Sequence, residues 1–232
     1  MQIFYDGLDI EKYSNHISVE GFTTNCSFFS QSEIKNYTDF YEKNKHLIQN
    51  KDISFQIWKS GEDGIKQIDE IHSIDKNIFV KIPVINIDNE YNTDLLKYAF
   101  INNIPVNITA IYSFQQINKV FELLESENYN NTRVIVSIFA GSIADNGNDA
   151  SPYIKYSKEL FKEYPNVRIL WACCRELYNV MLAYELGCDI ITASGDMIDK
   201  LGYTNRDLNV LSLERTRKFY NDATNSGLSI IQ

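Results

Sequence analysis

Short apolar runs rich in β-branched and aromatic residues alternate along the chain with longer segments whose apolar positions recur three or four apart. The runs at 2–6, 18–23, 53–58, 78–82, 105–109, 133–139, 167–173 and 190–193 predict eight strands. Helical spacing covers 31–47, 62–72, 93–101, 114–127, 153–163 and 177–186 between them. Ile65, Ile68 and Ile71 stand three apart in the second of these, and Gly187 follows the last as a C-terminal cap. A further helix, 211–223, lies beyond the eighth strand.

Strands followed by helices at a spacing of about 25 residues predict a (β/α)₈ TIM barrel, which typically needs about 250 residues. The 232 residues fit one such domain over 1–232, with the last helix as an addition. The alternative is an open doubly wound sheet. That fold usually announces a nucleotide with GxGxxG after its first strand, whereas the turn here reads Asp6-Gly7-Leu8-Asp9.

Composition narrows the function. A formal net charge of −9 excludes a nucleic-acid binder, which needs clustered Lys and Arg, and an anionic membrane surface as partner. The start lacks a basic region followed by an apolar run, and no stretch approaches the roughly 18–20 apolar residues of a membrane span. Cys26, Cys173, Cys174 and Cys188 form no CxxC, and His16, His46 and His72 have no zinc-ligand spacing. The expectation is a reduced, cytoplasmic protein with no structural metal.

In a TIM barrel the chemistry gathers at the C-terminal ends of the strands. Those ends carry Asp6, Thr23-Thr24-Asn25, Gln56, Lys81, Asn107 with Thr109, Phe139, and Cys173-Cys174-Arg175. Lys81 interrupts the run Phe79-Val80-Lys81-Ile82-Pro83. Pointing inward, its ammonium would be desolvated, its pKa lowered, and the neutral amine would be a nucleophile for a ketone. Otherwise it snorkels to the barrel mouth or pairs with Asp6. Asp6 reads as a general acid/base or as a cap of the next helix. Thr24 and Asn25 orient a substrate hydroxyl or simply make a turn. Gln56 and Thr109 hold a water or belong to a satisfied polar layer. Arg175 stands where a helix begins; a cation opposes the dipole there, which favours an anion-binding role. The cysteines read as small buried hydrophobes.

Several segments together resemble the short transaldolases and fructose-6-phosphate aldolases. Gly21-Phe22-Thr23-Thr24-Asn25-Cys26-Ser27 is similar to that family's G-V-T-T-N-P-S, and Val80-Lys81-Ile82-Pro83 to the segment with its Schiff-base lysine. The segment from Ile104 to Ser113 resembles G-I-x-V-N-x-T-x-x-F-S. Ala172-Cys173-Cys174-Arg175 resembles A-S-F/I-R, and Gly187-Cys188-Asp189 its G-C/A-D. The matches fall in one order across nearly the whole chain.

The resemblance implies a barrel that transfers a dihydroxyacetone unit between sugar phosphates, needs no cofactor and forms homo-oligomers. It implies Lys81 as the Schiff-base residue, Asp6 as the acid/base, and Thr109 with Gln56 on a catalytic water. Asn25 and Asn107 would orient the donor, and Arg175 would bind phosphate.

The departures are specific. Typical transaldolases have an acid where Gln56 stands; the aldolase branch has glutamine there, but a tyrosine where Phe139 stands. Ser142 replaces a phosphate-binding arginine and Cys173 a serine of the same site, so phosphate affinity is expected to fall. Transferase ranks first. A lyase releasing free dihydroxyacetone and a catalytically decayed sugar-binding barrel are the alternatives, and an interaction module has little support beyond acidic charge. The last helix, with Leu211, Leu213, Phe219 and Tyr220, packs either on its own core or on a second subunit.

Overall fold

A computed structural model describes residues 1–126 and 131–231. It divides into two compact units, residues 1–198 and 199–232. In the first, β1 (Gln2–Asp6), β2 (Val19–Thr23), β3 (Asp52–Gln56), β4 (Phe79–Pro83), β5 (Val106–Ile111), β6 (Val134–Ile138), β7 (Val167–Trp171) and β8 (Ile190–Ala193) pair in chain order. All pairings are parallel, and β8 returns to β1 to close the barrel. The expected (β/α)₈ architecture is therefore the observed one.

The strands read as near-continuous apolar runs because both faces are covered. In β4, Val80 and Ile82 are fully buried beneath the outer helices, while Phe79 and Lys81 alternate onto the other face. Phe4, Phe79, Ile135, Leu170, Ala172 and Ile190 pack as one core cluster inside the barrel. Gly21 makes room for it: a Cβ there would lie 2.5 Å from the Phe4 ring. Arg168 and Arg133 close the N-terminal end. Arg168 pairs with Asp52 at 2.6 Å, and both guanidiniums lie over the Phe79 ring, at 5.4 and 4.8 Å from its centre.

The helices differ from expectation mainly at their starts. The segment 31–47 is not one helix. Cys26–Ser30 forms a short helix capped by Asn25, and a second, Tyr37–Ile48, starts at the cap Asn36. Between them Lys35 Nζ folds back onto the carbonyls of Phe29 and Ser30, at 3.2 and 3.1 Å, which ends the first helix. Short helices Ile10–Tyr13, Ala140–Asp145 and Gly195–Asp199 follow β1, β6 and β8; none is long enough to show a helical period. Glu127, the expected end of the helix from Phe114, lies outside the described residues.

In the second unit the helix is Leu208–Ser226, longer at both ends than 211–223. Asp207 caps it by accepting from the amides of Asn209 and Val210, and Gly227 ends it at a φ of 68°. Among the described residues no helix is long and apolar enough to cross a membrane.

Candidate active site

Two residues apart on a strand means the same face of the sheet. The inward positions nearest the C-terminal ends are therefore Asp6, Thr23, Gln56, Lys81 with Pro83, Asn107 with Thr109, Ser137, and Thr192. All of them line one cavity of about 360 Å³, together with Asn25, Phe139 and Cys173. Strand register sets the neighbours: Asp6 pairs with Thr23, Gln56 with Lys81, and Lys81 with Asn107.

Lys81 is 7% exposed, and its Nζ donates to the carbonyl oxygen of Thr24 at 3.1 Å. Burial pushes its pKa down, and the neighbouring Asp6 carboxylate only partly opposes that. The side chain neither snorkels nor forms a close ion pair. Asp6 does not cap the next helix; Asp9 does, accepting from the Lys12 amide. Asp6 Oδ1 instead accepts from the Thr23 hydroxyl at 2.6 Å, which fixes the carboxylate at the cavity wall.

A buried chain of neutral groups supports the floor. Ser137 donates to Asn107 Oδ1 at 2.6 Å, and Asn107 Nδ2 donates to Ser54 Oγ at 3.1 Å. This orients Asn107 beside Lys81. Thr109 Oγ1 is buried without a hydrogen-bond partner, at a wall of the cavity. It is a polar atom held ready for a ligand or water.

Two left-handed residues shape the rim. Ala110, at φ 59°, lies within the register shift of β5 against β6, so the strand runs on to Ile111 instead of ending at 109. Cys173, at φ 63°, brings its carbonyl against Gly141, where a Cβ would lie 1.6 Å from that oxygen. Burial also raises the Cys173 thiol pKa. All four cysteines are free thiols. Among the described residues, no group of three or more His, Cys, Asp and Glu could hold a metal ion.

The sequence candidates separate into two sets. Asp6, Asn25, Gln56, Lys81, Asn107, Thr109, Phe139 and Cys173 come together around the cavity. Thr24, Ser142 and Arg175 do not line it. The Thr24 hydroxyl points to the Ser54 carbonyl at 2.8 Å, so Thr24 acts through its own backbone oxygen. Arg175 does not sit as an unshared cation at a helix start. Its Nε donates to Asp145 at 2.8 Å, and Glu176 caps the helix Leu177–Glu185. Asn25 is both a cavity residue and a helix cap, its Oδ1 accepting from the Phe28 amide at 3.1 Å. Ser54 and Asp145 were missed. Ser54 lies two residues before Gln56, so period two points to it; no local signal links Asp145 to Arg175.

The profile of the family described as Transaldolase/Fructose-6-phosphate aldolase matches residues 3–230. The chain belongs to that family. A probable transaldolase of Nitrosopumilus maritimus is 29% identical over 209 residues, covering 87% of each chain. One from Methanococcus vannielii is 28% identical over 222 residues, covering 93% of this chain and 95% of its own. Among solved structures, 3-hexulose-6-phosphate synthase from Salmonella typhimurium superposes with a TM-score of 0.56 at 12% identity, covering 84% of this chain and 89% of that one. That likeness is one of fold. The family match covers the barrel from Ile3 through β8.

Proposed function

We propose that the chain is a transaldolase-type class I enzyme that moves a dihydroxyacetone unit from a ketose to an aldehyde acceptor through a Schiff base on Lys81. The observation that carries this is a desolvated lysine amine beside a carboxylate, deep in a cavity walled by neutral hydrogen-bonding groups.

The uncharged Lys81 amine attacks the ketose C2, and the carbinolamine takes one proton from solvent and loses water to give an iminium, a proton returned when the iminium is finally hydrolysed. Asp6 takes the proton of the C4 hydroxyl. The C3–C4 bond breaks, its electron pair moves towards the iminium nitrogen, and the aldehyde fragment leaves. The three remaining carbons stay on Lys81 as an enamine. Its C3 then attacks the acceptor aldehyde, Asp6 returns the proton to the new hydroxyl, and water hydrolyses the iminium to free the amine. Atoms balance without metal or redox cofactor. Asn107 and Asn25 orient donor hydroxyls. Thr109 Oγ1, with Gln56 across β4, holds the water released and later consumed.

A lyase is the second reading, favoured by Gln56: an amide cannot relay a proton, and the aldolase branch of the family carries one there. Assay with and without acceptor separates the two. A transferase releases almost no dihydroxyacetone under either condition and turns over only when an aldose is added, the three-carbon unit then appearing in a new ketose. Steady release without acceptor makes it a lyase, and no cleavage of any ketose under either condition defeats both.

A further inference from the structure

We infer that Tyr37, which lies outside the cavity, is a positioning residue for the water step: by holding the Gln56 carbonyl it fixes the side chain that places water against the Lys81 adduct. The inference rests on the Schiff-base reading above and adds to it a residue that touches no substrate.

On the edge of β3 that faces β2, the Ser54 carbonyl accepts the Thr24 amide at 3.2 Å. The next carbonyl on that edge is that of Gln56, two residues on. A continuing β2 would offer it the Cys26 amide. Instead the chain turns at Asn25 into the helix Cys26–Ser30, and the carbonyl needs another donor. Side chains supply it. The Tyr37 hydroxyl donates to the Gln56 oxygen at 2.8 Å. Cys26 Sγ lies 3.6 Å from the same oxygen and 3.7 Å from the Tyr37 hydroxyl.

Tyr37 is held in place from outside the barrel. Asn36 caps the helix that Tyr37 begins. The Tyr37 ring stacks on buried Phe55 with centres 5.0 Å apart and planes 15° apart, and it meets the Phe29 ring at 4.7 Å. Burial raises the pKa of the hydroxyl, which stays protonated and able to donate. Tyr37 does not line the catalytic cavity, whereas Gln56 does. The other half of the same planar peptide unit, the Ile57 amide, donates to the Lys81 carbonyl at 3.0 Å. The peptide joining Gln56 to Ile57 is thus clamped between Tyr37 and the backbone of the lysine itself. The two residues that share a water sit in one rigid frame.

The test follows a heavy-oxygen label at C2 of D-fructose 6-phosphate. Imine formation expels that oxygen and hydrolysis replaces it from solvent, so label loss reports the water step apart from C3–C4 cleavage. Tyr37→Phe keeps the ring stack and removes the donor. It is expected to lose label about 3–10-fold more slowly than the wild type, and to change the rate by less than about twofold when Gln56 is already alanine. Cys26→Ala, which removes the more distant donor, is expected to slow label loss by about twofold. Equal label loss in Tyr37→Phe and the wild type overturns the inference, as does a Tyr37→Phe effect as large in the Gln56→Ala background as in the wild type. If Tyr37→Phe does not fold, unchanged label loss in Cys26→Ala overturns it. A wild type that neither loses label nor forms a borohydride-trapped adduct on Lys81 overturns the Schiff-base reading itself, and this inference with it.

Discussion

Lys81 Nζ donates to the backbone carbonyl of Thr24 at 3.1 Å, while the Thr24 side chain turns away to the Ser54 carbonyl. A carbonyl can accept from an amine as well as from an ammonium. It therefore fixes the nitrogen without adding a full negative charge that would hold the proton on. With burial lowering the pKa, the arrangement favours a positioned, uncharged nucleophile.

Asp6 acts after imine formation in this account. Asp6→Asn keeps the hydrogen-bond acceptor for Thr23 but loses the base. Turnover is expected to fall by about 10²–10⁴-fold, while adduct on Lys81 still forms. Measuring both on one preparation distinguishes a lost proton transfer from a lost fold.

The buried amine also has a cost in stability. The folded-state pKa of Lys81 lies below its ordinary value of 10.5. Between the two values the unfolded chain binds the extra proton, so native stability rises with pH through that window and is lowest below it. Lys81→Met removes the penalty. The variant is expected to melt above the wild type at pH 7, by about 2–4 °C for each kcal/mol gained, with an advantage that shrinks towards pH 10.5. An unchanged or lower melting temperature at pH 7 contradicts the desolvation argument.

Gly141 has no room for a side chain, because a Cβ would lie 1.6 Å from the Cys173 carbonyl oxygen. That atom is backbone and cannot rotate away. Gly141→Ala is expected to destabilise by about 1–3 kcal/mol and to lower activity by shifting the rim after β7. Thermal melting and turnover on the same variant check this together.

Much of the barrel is legible in the sequence. Strands covered on both faces print their apolar runs directly, and Lys81 stands out as the charge inside such a run. Period two then carries the reading from Lys81 and Asn107 to their neighbours at the strand ends. The failures share a cause. Arg175 looks available until Asp145, 30 residues away, is seen to hold it. The same gap leaves Asp6 open between acid/base and cap until Thr23, 17 residues away, is seen to hold its carboxylate. Contacts between loops leave no local pattern. The 31–47 segment fails for another reason: its helical spacing is real from 37 on, but Lys35 folds back just before it.

The most direct measurement is reductive trapping. The chain is incubated with D-fructose or dihydroxyacetone and borohydride, digested, and mapped by mass. The account predicts a reduced ketose adduct on the peptide containing Lys81, absent from Lys81→Met. An adduct on another lysine, or none with any ketose, phosphorylated or not, contradicts it.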